Sequence, residues 1–429
     1  MNLGGFLSSR HVAEFINSSS LSRARQGAII TPMDPDITYL ARTNFRNSNI
    51  PFGIRQKDRL SHIYIIGQTG TGKTTLLETM LAQDIDWGRG MALIDPHGDL
   101  VERVNAQIPD GERHRLIYID ATDEACRWGY NPLKRVPRNL RPLVASGVLE
   151  TFQKLYDGRS WGVRMEHIFR NVLLSLLDQP QADFSHIAKI LLDRRYRRSA
   201  IRHIDNQEVV SFWKDEYEKY PYILRANAIA PIQNKVGAFM ANPVVKRLLI
   251  GYEKEVSFRR AMDERKVILV NLSRGKIGQD AAHLLGGLII TALGLAAFSR
   301  SDIPEAARVP FHIFVDEFQN FTTLSLVNML SELRKYRVSM TLANQYLHQL
   351  EKDIAEAVLG NAGTLISFRT GPSDARLIAA ELLSKFQEED VMSLRNYDIY
   401  LKLMIDGSPS KPFSAQTLTP CETARWPAT

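Results

Sequence analysis

Apolar positions along the chain follow two different rhythms. Short, nearly continuous apolar runs appear at "HIYIIG" (His62–Gly67), "GMALID" (Gly90–Asp95) and "RLIYID" (Arg115–Asp120). They return at "KVILVNL" (Lys266–Leu272), "FHIFVD" (Phe311–Asp316), "VSMTLAN" (Val338–Asn344) and "TLISFR" (Thr364–Arg369). Runs of this length without alternation predict strands buried on both faces, as in a parallel sheet. Between them the pattern turns helical, as in "TTLLETMLAQDIDWG". From about Pro132 to Phe258 the strand rhythm stops. "VASGVLETFQKLY", "MEHIFRNVLLSLL" and "FSHIAKILLDRRYRRSAIRHI" place apolar residues at helical spacing throughout. Near the end, "YDIYLKLMID", the turn "GSPS" and "KPFSAQTL" predict a hairpin.

The pattern predicts an α/β fold with a mostly parallel sheet, interrupted by an inserted all-helical domain. Residues 1–55 form an N-terminal segment of mixed pattern, in which "TPMDPD" (Thr31–Asp36) marks a turn-rich connection. Residues 56–131 form the first half of the α/β domain, 132–258 the helical insertion and 259–429 the second half. One apolar stretch, "LLGGLIITALGLAAF" (Leu284–Phe298), resembles a membrane span. Its fifteen residues fall short of the roughly 20 that a span needs. It also lies between two predicted strands, so a helix buried against the sheet is expected.

Composition narrows the class only a little. Of 429 residues, 44% are apolar and 24% charged, which fits an ordinary soluble globular protein. Lys and Arg total 54 against 47 Asp and Glu; the resulting +7 permits a nucleic-acid partner without requiring one. Cys126 and Cys421 have no metal-ligand spacing and suggest no disulfide framework, so a reducing cytoplasm is the simplest compartment. The first twenty residues lack the apolar core of a signal peptide.

The chemistry begins after the first buried run. "GQTGTGKTT" (Gly67, Gln68, Thr69, Gly70, Thr71, Gly72, Lys73, Thr74, Thr75) matches G-x-x-x-x-G-K-[ST], with a strand before it and a helix after it. Its glycines let backbone N–H groups close around phosphates, and the helix start adds a positive dipole end. Lys73 is expected to reach the β- and γ-phosphates of ATP, and the Thr74 hydroxyl to bind Mg²⁺. "FHIFVDEFQN" then delivers Asp316 to a strand tip, where it faces the same Mg²⁺. The adjacent Glu317 is placed to polarise a water aimed at the γ-phosphate. In ATPases of this type another strand lies between these two, and its polar tip senses the γ-phosphate; "VSMTLAN" is followed directly by Gln345.

Further motifs carry a family resemblance. "LIDPHGDL" (Leu93–Leu100), "VDEFQNF", "LRKYRVSMTLANQYLHQL" and "VLGNAGTLISFRTGPSDA" resemble the HerA/FtsK superfamily of DNA-pumping ATPases. Within it, the chain is most similar to the soluble motor domain of the conjugative coupling proteins, over roughly Phe52 to Leu418. The resemblance implies a RecA-like motor domain, a hexameric ring with DNA in its channel, and ATP between subunits. It assigns Arg334 as the arginine finger acting on the neighbour's nucleotide, and Arg369 as a second nucleotide contact. Lys335 and Arg337 stand close enough in sequence to compete with Arg334. The family's coupling proteins usually begin with membrane-spanning helices, which this sequence lacks. The opening fifty residues also match poorly the small β-barrel that opens HerA.

Three features stay open at this stage. Asp95, at a strand tip, either positions water or metal or stabilises the turn "DPHGD". Arg274 and Lys276 in "SRGKIG" either grip DNA phosphates or form a solvated loop. The basic run "DRRYRRSAIRH" (Asp193–His203) reads first as an exposed helix face rather than a DNA contact. The expected function is ATP-driven DNA translocation, with a relaxase, secretion channel or nuclease as partner. The expected location is cytoplasmic, peripheral to the inner membrane through such a partner. The alternatives are a HerA-like pump serving a nuclease and a secretion ATPase acting on protein. A scaffold that does not turn over is disfavoured by the complete hydrolytic set.

Overall fold

The computed structural model describes residues 34–44, 49–156 and 161–423. Eleven strands form one sheet: β1 (Ile37–Thr43), β2 (Pro51–Arg55), β3 (Ile63–Ile66), β4 (Gly90–Asp95), β5 (Leu116–Asp120), β6 (Val267–Asn271), β7 (Phe311–Val315), β8 (Val338–Asn344), β9 (Thr364–Ser367), β10 (Asp398–Lys402) and β11 (Phe413–Thr417). Their order is β2-β1-β11-β10-β9-β3-β8-β7-β4-β6-β5. The strands from β9 to β5 in that order are all parallel; β10, β11, β1 and β2 extend one edge antiparallel.

The unbroken apolar runs are the parallel strands. Every residue of β3, β4, β6, β7, β8 and β9 is buried. Apolar side chains on both faces leave such a strand no stable place except between two layers of packing. One face is covered by α1 (Lys73–Asp86) and α2 (Asp99–Gln107). The other carries the larger core, which runs without a break into the helical insertion.

The expected hairpin is present, pairing Asp398 with Gln416 through Leu401 with Phe413. A second hairpin was not read from the sequence. β1 and β2 pair with one another, and β1 pairs with β11, so Ile37–Arg55 edges the main sheet instead of standing apart from it. β1 alternates only loosely, and its partner β11 is some hundreds of residues away. The remainder of the N-terminal segment, residues 1–33, lies outside the described residues.

The insertion leaves and rejoins the sheet domain at one place, where Trp128–Gly129 pairs in parallel with Lys254–Glu255. Its main helices are α3 (Arg141–Leu155), α4 (Val163–Leu177) and α5 (Tyr222–Ala241). α3 packs on α6 (Gln279–Phe298), the apolar segment that resembled a membrane span. Gly147 faces Thr291 and Gly287 faces Thr151, so closely that a Cβ on either glycine would clash with the opposing threonine. α6 extends beyond the fifteen-residue apolar run. Among the described residues it is the one helix long and apolar enough to cross a membrane, yet 78% of its most apolar window is buried inside the protein.

A buried ion pair anchors the helix that follows the phosphate-binding motif. Arg59 donates from both terminal nitrogens to Asp84 on α1, at 2.7 and 2.6 Å, and Arg89 adds a third contact at 2.9 Å. Burial alone would raise the Asp84 carboxyl. The charge and hydrogen bonds of Arg59, with the charge of Arg89, together outweigh it and hold the group well below the usual range.

Candidate nucleotide site

The loop from Gly67 to Gly72 joins β3 to α1 at the C-terminal edge of the parallel strands, where ligands gather in such sheets. Gly70 and Gly72 have φ of 77° and 120°, conformations that a side chain would strain. Thr71 ties the loop inward, its hydroxyl donating to the Gln68 carbonyl at 2.7 Å. Lys73 folds back over the loop and donates to the Gly67 and Gln68 carbonyls at 2.5 and 3.1 Å. Burial lowers its pKa, while the charges of Asp316 and Glu317 act in the opposite sense.

Thr69, Gly70, Gly72, Lys73, Thr74 and Thr75 line a cavity of about 160 Å³, together with Glu317, Gln345 and Tyr397. The predicted loop and acidic residues therefore meet. β8 lies between β3 and β7, as expected, and brings Gln345 between the loop and the acid. The Thr69 hydroxyl donates to the Gln345 side-chain oxygen at 2.9 Å. The Gln345 amide donates to one oxygen of Glu317 at 2.5 Å, and the Gln319 amide donates to the other at 2.5 Å. Glu317 itself has φ 47°, a left-handed backbone uncommon for a residue with a long side chain. Two amide donors and a strained backbone thus fix the direction of one carboxylate.

Asp316 is 6% exposed at the tip of β7. Burial, followed by the charges of Asp95 and Glu317, pushes its pKa up to about 7, with Lys73 pulling the other way. Three carboxylates share the region with one lysine, so it lacks positive charge. A hydroxyl and a carboxylate are hard oxygen donors of the kind Mg²⁺ takes. The residues present therefore fit a Mg²⁺–nucleotide complex held by Thr74 and Asp316.

Asp95 resolves toward the turn. One of its oxygens accepts from the His97 backbone N–H at 2.8 Å; the other accepts from Leu100 and Val101 at 2.9 and 3.2 Å. It caps the start of α2, with both carboxylate oxygens accepting backbone N–H bonds. Asp95→Ala should therefore cost about 2 kcal/mol of stability, read as a lower denaturation midpoint at unchanged slope. An unchanged midpoint with abolished hydrolysis would move Asp95 to the metal.

Arg334 is not in this cavity. It lies exposed in the turn Leu333–Tyr336, which precedes β8, while Gln345 follows that strand. The seven residues of β8 separate the two by roughly 20 Å at about 3.3 Å per residue. His62, at the base of β3, steadies this edge. Its ring bonds the Leu330 carbonyl at 2.8 Å and accepts from the Met340 N–H at 3.0 Å. Burial lowers the His62 pKa to about 4, and Arg334 acts in the same direction. Of the competing cations, Lys335 lies 3.8 Å from Glu332, and Arg337 reaches back to the Arg308 carbonyl at 3.5 Å.

Arg369 does stand at the loop in its own chain. Its carbonyl accepts from the Gln68 N–H at 2.8 Å. Its guanidinium donates to Gln68 Oε1 at 3.4 Å, the Leu394 carbonyl at 3.0 Å and Asn396 at 3.2 Å. Arg274 and Lys276 are exposed on a short helix after β6, on the same edge of the sheet but outside the cavity. The arginines of the run Asp193–His203 are exposed with one exception. Arg197 is 2% exposed, bonds the Ile190 and Leu191 carbonyls and pairs with Glu218 at 2.9 Å. Arg194, Arg198, Arg202 and Lys214 rim a separate open basin of about 560 Å³ in the helical region.

Sequence reading missed Gln319, His62 and Tyr397. Gln319 stood within the quoted acidic motif and was legible as a nearby donor. Nothing local marked the other two.

A glycine-rich loop, a strand-borne acidic pair and a polar tip on the strand between them define a P-loop ATPase of the RecA-like kind. Residues 42–290 match the family described as "Helicase HerA, central domain", and residues 310–398 match "TraM recognition site of TraD and TraG". The chain belongs to the HerA central-domain family and is a P-loop ATPase of the HerA/FtsK type. Its fold is that of the conjugative coupling proteins. Plasmid coupling protein TrwB in complex with ADP and Mg²⁺ superposes with a TM-score of 0.65 at 12% identity, covering 96% of this chain and 93% of that one. TrwB with a non-hydrolysable ATP analogue gives 0.65 at 13%, covering 96% and 92%. VirB4 of Thermoanaerobacter pseudethanolicus gives 0.58 at 12%, covering 92% and 99%. No curated protein sequence matches the chain.

Proposed function

We propose that the chain is an ATP-driven DNA translocase of the coupling-protein type, working as a ring that hydrolyses ATP at subunit interfaces. One observation supports the ring: Arg334 is exposed on the edge of the sheet opposite its own nucleotide site, too far along the strand to serve that site itself. A hexamer is the assembly that the family resemblance implies.

The residues divide the work as follows. Backbone N–H groups of Gly70–Thr75 hold the phosphates, and Lys73 leaves the Gly67 and Gln68 carbonyls to meet the β- and γ-phosphates. Thr74 and Asp316 would hold Mg²⁺, which supplies neutralising charge beside the phosphates. Glu317, steadied by Gln345 and Gln319, takes the proton of the attacking water at its carboxylate oxygen. Gln345 links that carboxylate to Thr69, so loss of the γ-phosphate is felt by both. Arg369 keeps the loop's entry in place. Arg334 of one subunit stabilises charge on the nucleotide of the next. Residues 56–131 and 259–429 form the motor, with 132–258 as its helical attachment and 1–55 as its N-terminal segment.

Support for DNA comes from the HerA family and from the match to the TraM recognition region. Arg274 and Lys276 are the channel cations in this reading, and the chain works in the cytoplasm beside a relaxase or secretion-channel partner. Affinity for DNA should fall steeply with salt and vary little with sequence, as backbone contacts require. Removing Arg274 and Lys276 together should weaken binding more than removing Arg194 and Arg195, measured by titration across salt concentrations. The reverse order would move the DNA path to the helical region. The HerA match also supports a second reading, the same pump serving a nuclease, which co-purification with a nuclease would favour.

A further inference from the structure

Phosphate contacts explain how the loop grips one end of a nucleotide, and Tyr397 accounts for the other. Glu317, Gln345 and Lys73 mark the end of the cavity where the γ-phosphate belongs. Gly72 and Thr75 mark the opposite end, past which ribose and base must leave. Tyr397 lies at that end. A Cβ on Gly72 would come within 2.8 Å of its ring, so only glycine allows the ring to sit there.

The segment that carries Tyr397 is pinned on several sides. Its N–H donates to the Thr71 carbonyl at 2.8 Å, joining it directly to the phosphate loop. Its carbonyl accepts from the Thr417 N–H at 2.9 Å and hydroxyl at 3.2 Å. Arg369 holds Leu394 and Asn396 just before it. The backbone has φ 70°, which disfavours a bulky residue. Despite this, Tyr397 remains 42% exposed. A strained, firmly held position that presents an aromatic face to a cavity is poorly explained by packing.

We propose that Tyr397 is the platform on which the nucleotide's base and ribose rest. This rests on the reading of Gly67–Thr75 as the phosphate site. A flat ring favours large bases through stacking and reads no edge pattern. Among the other cavity-lining side chains, the polar ones belong to the phosphate loop or to the Glu317–Gln345 pair. The site therefore takes purine nucleoside triphosphates with little preference between adenine and guanine, and pyrimidine nucleotides more weakly.

The test compares ATP and GTP with inorganic tripolyphosphate, each with Mg²⁺, by calorimetric titration of the full chain. Tyr397→Asn removes the ring and suits a left-handed backbone, so the loop keeps its shape. It should weaken ATP and GTP by about 10-fold or more, the scale of one lost base–aromatic contact, and leave tripolyphosphate within about twofold. Tyr397→Phe should bind all three as the unaltered chain does. Unchanged ATP affinity in Tyr397→Asn would overturn the proposal. An equal loss of ATP and tripolyphosphate would also overturn it, because the ring would then merely brace the loop. A failure of the unaltered chain to bind tripolyphosphate would instead remove the phosphate site itself, and the platform with it.

Discussion

Arg334→Ala should bind ATP normally and hydrolyse it about 10³-fold or more slowly, the scale on which such fingers act. Binding survives because the phosphate loop and Lys73 stand at the far end of β8 from Arg334. Hydrolysis fails because the charge that develops on the transferring phosphoryl group loses its guanidinium partner. Mixing gives the result its direction. A Glu317→Gln subunit has a dead site but still offers Arg334; an Arg334→Ala subunit has a sound site and offers no finger. Rings containing both include interfaces where a sound site meets a sound finger, and these should regain activity. Both variants must first be shown to assemble and exchange subunits. Exchange without recovery would mean that sites are strictly coupled around the ring or that Arg334 acts within its own chain. The roughly 20 Å along β8 argues against the latter.

Within one site, binding and chemistry should separate cleanly. Lys73→Ala should abolish ATP binding at working concentrations, since among the described residues no other cation lines the cavity. Glu317→Gln should keep binding and lose about 10²- to 10⁴-fold in turnover, the range for a positioned general base. Its carbonyl oxygen still accepts from one of the two amides, and its new NH2 is met once Gln319 turns its unpaired oxygen toward it, so the shape is kept while the proton acceptor is gone. Near-normal turnover by Glu317→Gln would remove Glu317 from the reaction. Equilibrium binding and single-turnover hydrolysis on the same preparations distinguish these outcomes.

The parts legible in the sequence are those whose signal is local. A buried parallel strand is a continuous apolar run, and the phosphate loop is a contiguous motif, so β3, α1 and Gly67–Thr75 can be read directly. The order of β3, β8 and β7 follows from the family resemblance. What was missed depends on pairing between distant segments. β1 looks weak alone and becomes a sheet strand between β2 and the distant β11. Tyr397 is one tyrosine among fourteen until the chain folds it onto Gly72. Asp95 was ambiguous because a strand-tip carboxylate serves metal or turn equally well. Its three backbone donors, all within six residues, decide the matter only once α2 is in place.

In the proposed function, hydrolysis at Glu317 is coupled to DNA in an assembly of subunits. Its most direct test is the steady-state ATPase rate per subunit, measured with and without DNA over a range of protein concentrations. The predicted result is a rate that DNA of any sequence stimulates and that rises with protein concentration as Arg334 of one subunit finds the site of another. A monomer with full DNA-stimulated activity, or a rate that DNA does not change, would contradict it.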